Sequence, residues 1–475
     1  MENPGEKEWT LPCTLGMDIG TTTIVAVVYD TVTGEALAVR SIANDTQTTS
    51  PADRKRGWSE WDARRTISLA VECMAAAVAE AADQNIAAIG VTGQMHGTVL
   101  LSDAGEPITP FINWQDQRAE ERPGDGPKTY IELMLEAGGS HGFERTGCDP
   151  ATGYMASTLF WMARQGDERL KTPGAIACFI PDYLVSHLTG ARPVTDPTNA
   201  GSAGVLDVAA RDWERELISL LGLEPNLFPP VRESGSVAGR LRAEIAEEIG
   251  LKAGIPVCVA CGDNQASFLG SVPNPDDTLL VNIGTGAQVS LHTPEYVRVP
   301  GLDTRCHVDG GCLLVGAHLC GGASYALLRD FFRAVGSDLF GNDSDEDLYE
   351  RMTALASEAP RGADGLRCVP LFAGTRREPD ARAMFTGLSA SNFKPGHMAR
   401  ALLEGVIEQM RFDYARMLEY DVKPRSRLVG SGNGIRRNAL LCKILSHAFE
   451  MPLDLAPHTE EAAVGAALLA ARSVE

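Results

Sequence analysis

Apolar and polar positions alternate clearly at the start of the chain. In residues 13–40 the run TLGMDIGTTTIVAVVYD is followed by a turn at Thr33–Gly34 and then by EALAVRSI, which reads as an antiparallel strand pair. Residues 64–84 (RRTISLAVECMAAAVAEAADQ) change to the helical period and predict an amphipathic, Ala-rich helix. The next apolar run, IAAIGVTG, predicts a strand, and so does 256–261. Helices are predicted at 323–335 and 396–420, and EEAAVGAALLAARS (460–473) predicts a small-residue helix able to pack closely on a sheet or another helix. Residues 118–130 are a polar, Pro/Gly-rich loop, 372–383 is a loop, and 430–434 is a glycine-rich turn. The stretches 204–216 and 217–249 alternate helical segments with turns. Strands and helices in this order, with glycine at the strand ends, predict an α/β layer architecture.

One pattern occurs twice. Residues 15–25 read LGMDIGTTTIV and residues 279–289 read LLVNIGTGAQV, so Asp18 aligns with Asn282, Gly20 with Gly284 and Thr21 with Thr285. An internal repeat of this kind predicts two related halves. The segment SVPNPDD (271–277) reads as the linker between them, which divides the chain into 13–270 and 271–475. Each repeat is an apolar strand running into a Gly-Thr turn. Glycine permits a tight reversal and close approach of a ligand, and successive N–H groups there form an anion-binding nest. Two such nests suggest a phosphate chain gripped from both sides. By strand parity Leu15, Met17 and Ile19 share one face, while Gly16, Asp18 and Gly20 share the other. Asp18 is either a turn-initiating residue bonded to its own backbone or a carboxylate held open for a metal ion beside phosphates.

The formal net charge of −21 argues against nucleic acid or anionic membranes as the main partner. It leaves room for a nucleotide triphosphate, because Mg²⁺ and backbone amides neutralise phosphates locally. The chain has no long uninterrupted apolar run, and its opening MENPGEKEWT lacks the layout of a signal peptide. The eleven cysteines are scattered. Cys258 and Cys261 have C-x-x-C spacing, but on one strand an i,i+3 pair points to opposite faces, so they read as small buried thiols. An odd cysteine count without an export signal fits a reducing cytoplasm.

Several segments carry candidate chemistry. VCVACGDNQAS puts Asp263 at the end of a strand and the start of a helix, as either a helix cap or a catalytic carboxylate. In open α/β sheets ligands sit beyond such strand ends. GQMHG (93–97) sets Gln94, Met95 and His96 between glycines at a strand terminus, where polar donors can meet sugar hydroxyls. INWQDQR (112–118) adds Trp114, Gln115 and Asp116, which read as polyol-recognising groups or as core, loop charge and partner of Arg118. HLCGGASY (318–325) and VGSGNGIRRN (429–438) are glycine turns leading into helices. None of these matches a Walker lysine motif, and Gly284 and Gly286 lack the third glycine of a dinucleotide fingerprint.

Together these residues resemble the FGGY family of carbohydrate kinases, over about residues 13–473. The resemblance implies a two-domain, duplicated, actin-like (ribonuclease H-like) ATPase fold with a cleft between the domains. It implies an ATP-dependent kinase that phosphorylates a terminal hydroxyl of a ketose, with ATP and Mg²⁺ as cofactors and a small sugar as substrate. DIGTTT and NIGTGAQ look like the two phosphate hairpins, which brings over Asp18 for the metal and Gly20, Thr21, Thr22, Gly284, Thr285 and Gly286 for the nucleotide. GDNQAS looks like the segment with the catalytic aspartate, so Asp263 is implied as general base, with Asn264 beside it at the substrate. GQMHG and NWQDQR are similar to the family's sugar-binding segments. SGNGIRRN is similar to the adenosine-binding turn and brings over Gly432, Gly434 and Asn438, while Gly321 and Gly322 join the nucleotide group. PDYL (181–184) resembles the family's KDYL, with proline for lysine. Ser157 in ATGYMASTLFWMA stands where many members carry a lysine, which looks more like the sedoheptulokinase branch than xylulokinase. Xylulokinase or another ketose or polyol kinase is the alternative within the class. An actin-like ATPase switch without sugar kinase activity is the alternative outside it. A homodimer is compatible with this reading.

Overall fold

The computed structural model describes residues 13–82, 84–139, 142–342, 347–375, 378 and 380–474. The opening segment 1–12, position 83 in the stretch read as helix, and positions 376, 377 and 379 of the loop read over 372–383 lie outside the described residues. The chain forms two compact units. The first comprises Met1–Gly270 with Arg305–Gly311 and Glu460–Glu475, and the second Ser271–Thr304 with Cys312–Thr459.

The first unit is built on β1 (Cys13–Ile19), β2 (Thr23–Asp30), β3 (Glu35–Ala43), β4 (Ile86–Gly93), β5 (Val237–Arg240), β6 (Pro256–Cys258) and β7 (Cys261–Gly262). Its sheet runs β5–β6–β4–β1–β2–β3, with β7 also paired to β4. The expected strand pair is therefore three strands, because Gly20–Thr22 reverses the chain inside the run read as one strand. The β1–β2 and β2–β3 pairs are antiparallel and β1–β4 is parallel. The expected strand at 256–261 is split at Val259–Ala260, so Cys258 and Cys261 lie in separate pieces. All eleven cysteines are free and all but Cys442 are buried.

Parity on β1 is realised. Leu15, Met17 and Ile19 sit in a core with Ile67, Ala70 and Met74 of α1 (Ala63–Glu80), whose first turn is capped by Asp62 accepting from Arg65 N–H at 3.0 Å. The opposite face is bare because the backbone of the closing helix, Glu461–Ala471, lies directly on it. A Cβ added at Gly16 would come 1.9 Å from the Ala463 carbonyl oxygen, and one at Gly90 1.9 Å from that of Ala466. Thr14 Oγ1 donates to the Ala467 carbonyl at 2.9 Å. The helix's own Gly465 meets Ala266 just as closely, so the helix that starts at Asp263 is docked by the same small-residue contact. Gly90→Ala is expected to cost at least the upper end of about 1–3 kcal/mol, because backbone on both sides cannot yield as a side chain would. An unchanged urea midpoint would contradict this packing.

The second unit repeats the plan. β8 (Thr278–Ile283), β9 (Ala287–Thr293), β10 (Cys312–His318), β11 (Arg427–Ser431) and β12 (Leu453–Leu455) run in the order β10–β9–β8–β11–β12. This matches β3–β2–β1–β4–β6 strand for strand, with the same parallel and antiparallel pairings. The helix Gly322–Phe340 covers the segment expected at 323–335, and Pro395–Leu418 covers all but the last two residues of that expected at 396–420, with Leu402, Val406 and Met410 of the latter joining the sheet's core. The duplicated α/β architecture expected from the repeat is thus present in both sheets.

Candidate active site

The carboxyl ends of β1, β4 and β7 bring three sequence-distant segments together. Asp18 on β1 lies opposite Thr92 on β4, and Thr92 lies opposite Cys261 on β7, two residues before Asp263. Thr92 Oγ1 fastens this end by donating to the Cys261 carbonyl at 2.8 Å. Asp263 heads a helix (Asp263–Ser271), and its Oδ1 accepts from Asn264 N–H at 2.7 Å.

Asp18 senses the second carboxyl. Burial, then the Asp263 charge, then the Glu460 charge push Asp18 up to about 8. Burial raises Asp263 to about 6, against the opposing Asn264 N–H bond and the Arg305 guanidinium. Asp18 Oδ1 is buried and has no hydrogen-bond partner, an arrangement that costs free energy unless a ligand or cation completes it. A bare carboxylate oxygen beside a second carboxylate is a donor set that fits a divalent cation. Among the described residues no group of three or more His, Cys, Asp or Glu is placed to hold a metal. Mg²⁺ takes one or two carboxylates and completes its shell with water and phosphate, so the bare Asp18 oxygen fits it.

These shifts make a stability prediction. In the folded state both groups keep protons that the unfolded chain has released above a pH of about 4. Their contribution is therefore complete at low pH and is lost as pH rises through about 6 for Asp263 and about 8 for Asp18. Without divalent cations, the wild-type protein should lose more stability between pH 5 and pH 8.5 than Asp18→Asn. Equal slopes of urea midpoint against pH in EDTA would contradict the burial of an ionisable Asp18.

The first turn is held from several sides. The Gly20 carbonyl accepts from Asn44 Nδ2 at 2.9 Å, and the Thr22 carbonyl accepts from Asn44 N–H at 2.9 Å. Thr22 is exposed at the tip. Thr21 Oγ1 accepts from Trp114 Nε1 at 2.9 Å and so has its proton left for Gln94 Oε1, 3.2 Å away. This bond orients the Gln94 amide, whose Nε2 is buried without a partner. His96 Nδ1 lies 3.0 Å from the Ser202 carbonyl, which can only accept, so Nδ1 carries a proton. The imidazole stacks on Tyr154 at 4.3 Å. The unpartnered donor at Gln94 suits a polyhydroxylated ligand.

Other expected contacts are spent inside the protein. Met95 is buried against Gly262, where an added Cβ would come within 2.8 Å of its Sδ and Cε. Asp116 is 0 % exposed. Its Oδ1 accepts from Arg118 N–H and Nε, and its Oδ2 accepts from Ser59 N–H and Arg118 Nη2, all at 2.7–2.9 Å. Arg118 in turn lies 4.3 Å from the Trp58 ring and 5.2 Å from that of Trp161. Asp116 thus anchors the loop, and half-buried Trp114 and exposed Gln115 are the groups it presents.

In the second unit Asn282 occupies the place of Asp18 and donates from Nδ2 to Ser431 Oγ at 2.8 Å. The turn Gly284–Gly286 is backed by the next glycine pair. Gly321 N–H and Ala323 N–H donate to the Thr285 carbonyl, and Gly322 N–H to that of Gly284, at 2.9–3.1 Å. Gly321 and Gly322 approach that turn so closely that a Cβ on either would fall 2.2–2.4 Å from a carbonyl oxygen. Thr285 is exposed at the tip. Gly432 (φ 86°) and Gly434 lie against the Ile283 carbonyl, and Asn438 caps the following helix by accepting from Leu441 N–H at 3.0 Å.

Asn44, Arg305 and Glu460 were not among the sequence candidates. Asn44 and Arg305 lie in stretches without a motif, and Glu460 reads in the sequence only as the start of a helix.

The comparisons with known proteins give the family. The FGGY family of carbohydrate kinases, N-terminal domain, matches residues 13–270, and its C-terminal domain matches residues 279–474. The chain therefore belongs to the FGGY family of carbohydrate kinases and is an ATP-dependent sugar kinase whose substrate is a small carbohydrate. The sedoheptulokinase of Mus musculus is 29% identical over 96% of this chain and 97% of its own. The autoinducer-2 kinase of Yersinia enterocolitica is 28% identical over 96% and 85%. Among solved structures, xylulose kinase from Rhodospirillum rubrum superposes with a TM-score of 0.85 at 28% identity, covering 98% of this chain and 90% of that one. Among the described residues no helix is long and apolar enough to cross a membrane.

Proposed function

We propose that this kinase transfers the γ-phosphoryl group of ATP to a terminal hydroxyl of an open-chain ketose, with sedoheptulose as substrate and Asp263 as general base. The observation that carries the mechanism is the strand-end pair of Asp18 and Asp263 beside a Gln94 amide with an unpartnered donor. Phosphoryl transfer asks the protein chiefly for positioning and charge stabilisation. Asp263, held near 6 by burial, is mostly ionised at neutral pH and basic enough to take the hydroxyl proton as the oxygen attacks. Gln94 and His96 orient the sugar, with Trp114 and Gln115 presented on the loop that Asp116 anchors; Asn264, next to the base, faces the same substrate. Thr21, Thr22, Thr285 and the glycines of the two turns take the nucleotide, with Gly432 and Gly434 at its adenosine end and Asn438 shaping that turn. Asp18 would hold Mg²⁺ through water, and the ion when bound would offset phosphate charge. We place the enzyme in the cytoplasm, where ATP is present and free thiols stay reduced.

Sedoheptulose is favoured by the relative whose length is matched almost completely and by Ser157, whose hydroxyl donates to the Ala151 and Tyr154 carbonyls where other branches carry lysine. A coupled ADP-release assay against sedoheptulose, xylulose, ribulose, fructose, glycerol and autoinducer-2 tests it. The highest kcat/KM is expected with sedoheptulose. A higher value with any other sugar overturns the substrate, and equal ADP release without sugar overturns the whole reading.

A further inference from the structure

The first unit buries a polar run with no role so far, Thr195–Ser202 (TDPTNAGS), which forms the short helix Pro197–Gly201 capped by Asp196. Asp196, Thr198 and Asn199 are 0 % exposed. Their hydrogen bonds lead to two places. Thr198 Oγ1 accepts from Gly262 N–H at 2.8 Å, the peptide just ahead of Asp263, and donates its own proton to Asp196 Oδ2 at 2.7 Å. Asp196 also accepts from Asn199 N–H at 2.8 Å and Ser234 Oγ at 2.5 Å. Asn199 Nδ2 donates to the Ala260 carbonyl at 3.4 Å, on the same strand end. In the other direction, Ser202 Oγ donates to the Asn199 carbonyl at 2.7 Å and accepts from His96 N–H at 3.0 Å. His96 has φ 75°, a conformation that a non-glycine residue keeps only when its surroundings enforce it.

We propose that Thr195–Ser202 is a positioning bracket: Asp196 and Thr198 fix the strand end from which Asp263 projects, while Ser202 fixes His96, so one buried element aligns the base with the sugar-orienting loop. This deepens the kinase reading and rests on it. The physical reason lies in the direction of the Thr198 hydroxyl. A buried carboxylate demands donors, so Asp196 draws the Thr198 proton and turns the oxygen lone pair toward Gly262 N–H. Without that acceptor the Gly262 peptide is left buried and unpaired, and it can turn away to find another partner, carrying Asp263 with it. Gly262 is also where Met95 packs, which ties the two loops together a second time.

Thr198→Val keeps the shape of the side chain and removes the relay, whereas Thr198→Ser keeps the relay. Steady-state ADP release should show Thr198→Val with kcat lowered about 10–100-fold, the scale of a misplaced catalytic group. Its KM for ATP should stay within about twofold, which also reports a folded protein. Thr198→Ser should recover to within about threefold of wild type. Ser202→Ala should instead raise the KM for sugar about fivefold or more with little change in kcat. A merely structural role would lower thermal stability without moving either parameter of the folded enzyme. A folded Thr198→Val with wild-type kcat, or a Thr198→Ser as impaired as the valine variant, overturns the bracket. If Thr198→Val does not fold, a Ser202→Ala enzyme with unchanged sugar KM overturns it. A wild-type protein without sugar-dependent ADP release overturns the kinase reading, and the bracket with it.

Discussion

Replacing Asp263 by Ala is expected to lower kcat for sugar phosphorylation by about 10²–10⁴-fold, the usual contribution of a general base. Nucleotide affinity should stay within about twofold. The expectation follows from where the residue stands. Asp263 follows β7 directly, and its helix is docked through the tight Gly465–Ala266 contact, so removal of the carboxylate should leave the backbone in place. The first turn is held by Asn44 and, through Thr21, by Trp114 rather than by Asp263, and the second by Gly321 and Gly322. Asp263→Asn separates basicity from shape: it should be as inactive as the alanine variant while still binding sugar. A variant at this position that retains a tenth or more of wild-type turnover would remove the base assignment.

Asp18→Asn is expected to raise the Mg²⁺ concentration needed for half-maximal rate by about 10–100-fold, the range for losing a group that holds a metal through its water shell. The substitution removes the charge and leaves the strand register with Val25 and Thr92 intact. It also relieves the repulsion that Asp18 feels from Asp263 and Glu460. The variant should therefore be the more stable protein in EDTA at alkaline pH while being the poorer enzyme. An Mg²⁺ titration that superposes on wild type would take Asp18 out of the metal role.

The duplicated core was readable because the repeat is local. An Asp or Asn followed by Ile-Gly-Thr marks β1 and β8, and both lie centrally between an antiparallel and a parallel neighbour. The amphipathic helix Ala63–Glu80 was readable from its period. Helices Met155–Arg164 and Ile180–Thr189 were not, because each is only ten residues long, shorter than the stretch over which a helical period stands out. The bare face of β1 was visible as Gly16, Asp18 and Gly20. What covers it is a helix more than 440 residues away in sequence, whose small residues signalled close packing but not the strand it packs on. Within the candidate site, residue types marked the ends of β1, β4 and β7 but not the division of labour. Asp116 carries the charge of a ligand contact, yet Arg118 two residues on consumes both of its oxygens. The Asp196–Pro197 pair is a readable helix start, but its link to Gly262 spans sequence and could be found only in three dimensions.

The most direct test of the account is a crystal structure of the protein with sedoheptulose and a non-hydrolysable ATP analogue. A terminal hydroxyl of the sugar is expected at about 2.6–3.2 Å from an Asp263 carboxylate oxygen, with Gln94 Nε2 on another hydroxyl. A sugar bound elsewhere, or one whose hydroxyls all lie beyond reach of Asp263, would contradict it.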